Sequence, residues 1–225
     1  MNCKRCQKKC IKNGFQANGK QRYYCTLCKL SQQETYTYRA YQPSTNQNIY
    51  KLLVNSCGFN DVSRILGISR QTVNRRLMAM AKLIKQPHLN ETLQTYEIDE
   101  MHIKVQGMGA HCYVAYAINR ATKCVISFCV GSRNTLQLSK IVHPVLLLDP
   151  KRIYTDKWSP YQKLIPKNIH GIGKSLTNHI ERYHLTLRTH LKSLSRKTIC
   201  YCKSIKTIKG LLSLYFWGHT IKFVS

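Results

Sequence analysis

The stretch TLQTYEIDEMHIKVQ (92–106) carries Tyr96, Ile98, Ile103 and Val105 in a pattern that predicts a largely buried strand. CYVAYAIN (112–119) and KCVISFCVG (123–131) predict two more, joined by a turn over Asn119–Thr122. A helix is expected over TLQLSKIVHPVLLL (135–148), interrupted by Pro144, then a strand over KRIYTD (151–156). Ser159-Pro160 opens a short helix, IHGIGK (169–174) is a brief extended piece, and 175–196 reads as a long basic helix. Strands, a helix, a strand and further helices in this order predict an α/β domain with a mixed sheet over residues 91–225.

Upstream, residues 44–90 show helical spacing three times. A first helix over 46–57 stops at Gly58. Asn60 is expected to cap a second, with Val62, Ile65 and Leu66 inward and Gly67 as its stop. Ser69 caps the third, whose inner face is Val73, Leu77, Met80, Ala81 and Ile84. Two helices joined by a glycine-containing turn form the helix-turn-helix pattern. Arg70, Gln71, Asn74 and Arg75 face outward from the start of the last helix, as side chains that reach bases and phosphates in a major groove do.

Residues 1–43 add a different chemistry. Cys3/Cys6 and Cys25/Cys28 are two CxxC pairs with eighteen residues between them, a spacing that builds a tetrahedral four-thiolate site for structural Zn2+. Asn13-Gly14 and Asn18-Gly19 supply turn signals for a zinc-ribbon hairpin between the pairs. The other seven cysteines show no ligand spacing and read as small core side chains, although Cys10 could replace a ligand of the pairs.

Charge changes the picture most. Thirty-six Lys and Arg oppose nine Asp and Glu, a net +27. Sixteen of the bases lie in residues 1–90 and twenty in 91–225, so both halves suit a polyanion, and nucleic acid is the expected partner. No apolar run is long enough to span a bilayer and the N-terminus lacks a signal-peptide core, so the expected place is the cytoplasm, with no membrane partner.

Acids this scarce can be taken singly. Asp99 stands inside the first strand, where a carboxylate needs a partner or a metal. Asp156 ends an apolar strand at the edge where ligands gather, although it could also cap the next helix. Glu181 opens the basic helix, where it could pair with Arg182 on the surface. Three carboxylates on three elements of one α/β unit could instead hold divalent metal for phosphodiester chemistry. Glu100 is expected on the opposite strand face from Asp99 and outside its metal site, whereas Glu97 shares that face nearer the other end of the strand. His184 is expected to be a polar surface residue.

YTDKWSPYQKLIP (154–166) and NHIERYHLTLRTHLKSLSRKTICYCKS (178–204) resemble the insertion-sequence-one (IS-one) family of bacterial transposases. The resemblance implies an N-terminal zinc finger (1–43), a helix-turn-helix (44–90) and an RNase H-like catalytic domain (91–225). It implies Asp99, Asp156 and Glu181 as the catalytic trio on Mg2+ or Mn2+, with 24 residues between the last two. The implied reaction is hydrolysis at the end of the element followed by attack of the freed 3′-OH on target DNA. Double-stranded DNA, as terminal inverted repeats and target, is the implied partner, with at least a dimer to join two ends. Arg182, Arg188, Lys192, Arg196 and Lys197 are expected to hold phosphates. The alternatives are a DNA-binding repressor derived from a transposase, without catalysis, and a nuclease that cuts without joining.

Overall fold

The computed structural model describes residues 1–86, 92–106, 112–195, 200, 202–221 and 223. Two compact units are present, Met1–Thr45 and Asn46–Ser225. No helix among the described residues is long and apolar enough to cross a membrane.

In the first unit, β1 (Ile11–Phe15), β2 (Gln21–Cys25) and β3 (Leu30–Gln32) form an antiparallel sheet in that order. The second Asn-Gly makes the expected hairpin turn. Gly19 takes φ +74°, its N–H donates to the Gln16 carbonyl, and the Asn18 side chain accepts from Lys20 N–H. The first Asn-Gly does something else, because Gly14, at φ +66°, sits inside β1 where the register slips between Lys12 and Phe15. Little apolar burial supports this sheet. Phe15 is 70% exposed, and the buried cluster consists of Cys3, Cys10 and Cys25 with Cys6, Tyr23 and Cys28 against it.

The second unit follows α1 (Thr45–Leu53) with α2 (Phe59–Leu66) and α3 (Arg70–Leu83). α2 starts one residue before the expected Asn60 cap, because Gly58 N–H donates to the Asp61 carboxylate and fixes the first turn there. Ile65 lies at 57% exposure rather than inward, whereas Val62 is buried. Gly67 in the left-handed region ends α2, and Ser69 accepts from Thr72 N–H to start α3.

Among the described residues a five-stranded mixed sheet organises the rest. β4 (Thr95–Ile103), β5 (Cys112–Asn119) and β6 (Val125–Gly131) run antiparallel, and β7 (Arg152–Thr155) and β8 (His170–Ile172) run parallel to β4, giving the order β6-β5-β4-β7-β8. The Asn119 carboxamide accepts from Ala121 and Thr122 N–H and closes the β5–β6 turn. α4 (Thr135–Leu146) and α5 (Ser159–Leu164) cover one face, where Tyr96, Ile98, Ile126, Ile141 and Tyr161 form the core. α4 runs through Pro144 instead of breaking; the proline lies in the last turn, so its missing N–H and its crowding of the Lys140 carbonyl act on little helix beyond it.

The expected long helix over 175–196 is shorter. α6 spans Asn178–His190, with 3₁₀ turns before it at Lys174–Leu176 and after it at Lys192–Leu194, where Leu191 takes an extended ψ. A further helix, α7 (Ile205–Trp217), buries Phe216 and Trp217 and donates from the Trp217 indole to the Val125 carbonyl. Gly210 brings α7 close to α3: a Cβ there would lie 3.2 Å from Met78 Sδ. Of the seven other cysteines, Cys10, Cys112, Cys129 and Cys202 are buried, but Cys57 is half-buried and Cys124 and Cys200 are exposed, so the core reading fails for those three.

Candidate active site

β4 and β7 pair in parallel with Thr95 opposite Arg152 and Glu97 opposite Tyr154, an offset that brings Asp99 level with Asp156. Asp156 stands just past the end of β7, free of the ladder. Its Oδ1 accepts from Trp158 N–H at 2.9 Å, and its Oδ2 lies 3.5 Å from Arg133 Nη2. The Trp158 bond holds the residue ahead of α5 (Ser159–Leu164), which has no side-chain cap, so Asp156 shapes the turn before the helix rather than capping it.

One carboxylate oxygen from each of Asp99, Glu100 and Asp156 lies within 4.8 Å of the others. Glu100 was expected to stay apart from Asp99. Its side chain leaves the opposite face of β4, yet its carboxylate reaches the mouth of the site, where Arg133 Nε donates at 2.6 Å and Tyr161 OH donates at 2.6 Å. Burial, then the Glu100 charge, holds the Tyr161 hydroxyl well above its usual pKa, as a proton donor to Glu100 must be.

Glu181 occupies the first turn of α6 and is exposed. Its carboxylate is not among those converging oxygens, but its charge acts on Asp99. Burial, with help from the Glu100, Asp156 and Glu181 charges, pushes Asp99 up to about 7, against a lowering hydrogen bond from Glu100 N–H. Hard oxygen donors crowded until one resists ionising suit a divalent cation, which would restore the charged form.

Two residues missed by sequence reasoning fix this geometry. Glu97, 0% exposed, accepts from Ile180 N–H at 2.9 Å and lies 2.7 Å from His179 Nδ1 and 3.3 Å from Arg120 Nε. It ties β4 to the start of α6, one residue before Glu181. His184, expected at the surface, is buried, with Nδ1 3.9 Å from Asp99 Oδ2 and its ring edge-on to Tyr116. Burial, then the Arg188 charge, lowers His184 to about 4, so it is neutral at pH 7. The signal for Glu97 was present: a second acid on the Asp99 face of a buried strand demands partners of its own.

The four thiols of Cys3, Cys6, Cys25 and Cys28 converge in the same sense. Cys6 and Cys25 Sγ are 3.6 Å apart, near the roughly 3.8 Å edge of a tetrahedron with zinc–sulfur bonds of about 2.3 Å. Backbone N–H groups of Cys6 and Arg5 bring Cys3 down to about 6, favouring thiolate, whereas Cys28, hydrogen-bonded to Cys6, rises to about 12. A cation at the centre would relieve that competition.

Arg70, Gln71, Asn74 and Arg75 are all exposed along one side of α3. Arg182 is exposed, and Lys192 Nζ donates to Asp61 at 3.1 Å. Arg188 lines a cavity of about 290 Å³ with His102, Ile103, Lys104, Leu194 and Ser195. Arg196 and Lys197 lie outside the described residues.

A family model for the IS1 transposase matches residues 92–221. The insertion element iso-IS1n protein InsB of Shigella dysenteriae is 30% identical over 123 residues, 55% of this chain and 94% of the relative. The insertion element IS1 4 protein InsB of Escherichia coli K12 is 32% identical over 119 residues, 53% of this chain and 71% of the relative. Among solved structures, a chain of the simian T-cell lymphotropic virus intasome in complex with PP2A regulatory subunit B56 gamma is similar at a TM-score of 0.37 and 15% identity, over 75% of this chain and 65% of that one.

Proposed function

The chain belongs to the IS1 transposase family, and on that footing we propose that it binds the terminal inverted repeats of an insertion sequence and catalyses metal-dependent DNA cleavage and strand transfer. The observation that carries this reading is the meeting of the Asp99 and Asp156 carboxylates at one edge of the sheet, within the family-matched region of a chain with nine acids. The sheet order, three antiparallel strands followed by two parallel ones, supports an RNase H-like catalytic domain over 91–225.

Asp99, Asp156 and Glu181 are the residues assigned to hold Mg2+ or Mn2+. A divalent cation bound there acidifies an attacking water or hydroxyl and takes up charge developing on the phosphate. In the first step a water oxygen bonds to phosphorus, the P–O3′ bond breaks, and the departing oxygen takes a proton to become a 3′-OH. In the second, that hydroxyl attacks a target phosphodiester, a new 3′-O–P bond forms, and the target strand leaves as its own 3′-OH. The protein does its work by placement: Glu97 sets the start of α6 against β4, and neutral His184 flanks Asp99 without competing as a cation.

Arg70, Gln71, Asn74 and Arg75 are assigned to the major groove, within a helix-turn-helix over 44–90. Arg182, Arg188, Lys192, Arg196 and Lys197 are assigned to phosphates; for Lys192 this means leaving Asp61. Zn2+ on Cys3, Cys6, Cys25 and Cys28 completes a DNA-binding ribbon over 1–43. Joining two ends calls for at least a dimer on DNA in the bacterial cytoplasm. The test is a cleavage and strand-transfer assay on terminal-repeat DNA with Mg2+, comparing wild type with Asp99→Asn, Asp156→Asn and Glu181→Gln. Wild type should cut and join, and each variant should bind DNA but do neither. Binding without cutting by wild type would favour a repressor instead.

A further inference from the structure

Arg133, in the connection from β6 to α4, crosses the mouth of the carboxylate site. Its Nε donates to Glu100 Oε1 at 2.6 Å, while its Nη2 stands 3.5 Å from Asp156 Oδ2. Its guanidinium lies over the Trp158 ring, 4.3 Å from the centroid. The guanidinium thus rests against the Trp158 ring, with the Tyr113 ring 5.9 Å away, and its Nε and Nη2 reach Glu100 and Asp156 respectively. The two contacts differ in kind. At 2.6 Å the Glu100 bond is a short, charge-assisted one, whereas 3.5 Å to Asp156 is an ion contact too long for a good hydrogen bond.

Glu100 explains the difference. Its side chain is 3% exposed, and both oxygens are taken, Oε1 by Arg133 and Oε2 by Tyr161, which is fully buried. A buried carboxylate with both oxygens engaged is an anchor for Arg133 and a poor metal ligand. Asp156, 34% exposed, has on its Oδ2 only the long Arg133 contact among the described residues.

We propose that Arg133 is a tethered cation that balances Asp156 while the site holds no metal, and that it turns the same Nη2 edge to a DNA phosphate oxygen once a divalent cation takes Asp156. The inference rests on the reading that Asp99 and Asp156 hold the cation. Glu100 acts through Arg133, as a positioning residue. Lysine in place of arginine would lose the arrangement, since an ammonium has no planar face for Trp158 and no second nitrogen to reach Asp156 while the first holds Glu100.

The experiment titrates Mn2+ into the DNA-free, zinc-loaded full chain and follows water-proton relaxation. Arg133→Met keeps a stem over Trp158 and removes the charge, so Mn2+ should bind roughly fivefold or more tightly than to wild type. Should Arg133→Met fail to fold with Glu100 left uncompensated, the pair Glu100→Gln/Arg133→Met removes both charges and should bind Mn2+ at least as tightly as wild type. Unchanged or weaker binding by Arg133→Met overturns the proposal, as does a double variant about tenfold weaker, which would make Glu100 itself a ligand. With terminal-repeat DNA, Ca2+ should tighten DNA binding by wild type several-fold more than by Arg133→Met; an equal gain overturns the phosphate role. If wild type shows no Mn2+ binding that Asp99→Asn removes, the carboxylate-metal reading fails, and this proposal with it.

Discussion

Glu97 Oε2 accepts a hydrogen bond of 2.9 Å from Ile180 N–H, so a fully buried carboxylate in the central strand caps the first turn of the helix that carries Glu181. An acid at a helix N-terminus meets both an unpaired N–H and the positive end of the helix dipole.

That relationship makes Glu97 a structural acid on which the placement of Glu181 depends. Glu97→Gln keeps an acceptor for Ile180 but gives up the charge that faces Arg120 and His179, and should cost about 1–2 kcal/mol. Glu97→Ala leaves the helix start uncapped over a cavity and should cost about 3 kcal/mol or more. Urea midpoints measure both. Strand transfer should fall further than stability does, because the start of α6 moves with Glu181 on it.

Asp99 sets a pH signature. Its folded pKa of about 7 lies above the unfolded value, so its contribution to stability is complete below pH ~4 and is lost as pH rises through ~7. In magnesium-free buffer at pH 8, Asp99→Asn should be more stable than wild type by about 2–4 kcal/mol. His184 works in the opposite sense: its folded value of about 4 lies below the unfolded one, so its contribution is present above pH ~6.5 and is lost on acidification toward 4. The two oppose each other in wild type between pH 4 and 6.5, and Asp99→Asn should unmask the His184 rise. Parallel stability–pH curves for wild type and Asp99→Asn would rule this out.

Gly210 tests the contact between α3 and α7. Valine there forces Met78 Sδ and Ala81 Cβ, at 3.2 and 3.4 Å from the added Cβ, to give way, and should cost about 1–3 kcal/mol. Alanine should come out near neutral, since about 1 kcal/mol of helix propensity offsets the tight contact. Thermal melts of the two variants, run together, separate crowding from propensity.

Stripping zinc should unfold the first unit and spare the second. The buried cluster of Met1–Thr45 is made of cysteines and Tyr23, with Ile11 and Phe15 left in solvent, so the sheet has little else to hold it. Chelation should collapse the amide dispersion of residues 1–45 in NMR spectra and leave that of 46–225 in place. Retained dispersion in zinc-free protein would contradict a structural role.

The sequence made some of this legible through short-range rules. Alternation and β-branched runs marked β4 to β7, the two CxxC pairs marked a thiol cluster, and Gly67 with Ser69 marked the break between α2 and α3. What it hid depends on partners far apart in the chain. Glu97 reads as one more strand residue until Ile180 and His179, more than eighty positions away, come to it. Glu100 was placed on the correct face, but face alone does not fix where a long side chain ends, and Arg133 with Tyr161 draws its carboxylate to the site. His184 sits among polar neighbours in sequence and is buried because α6 turns that side toward Tyr116. The last helix, α7, was unassigned although Lys206, Lys209 and Ser213 mark a polar side, because its second half is otherwise almost all apolar.

The central claim is that Asp156 holds a catalytic metal directly, and a metal-switch experiment addresses it. Asp156→Cys replaces a hard oxygen by a softer sulfur that accepts Mn2+ far better than Mg2+. Strand transfer by this variant should be lost in Mg2+ and recover at least tenfold in Mn2+, with wild type active in both. A variant equally active in both metals, or equally dead in both while still folded and bound to DNA, would contradict the assignment of Asp156 as a metal ligand.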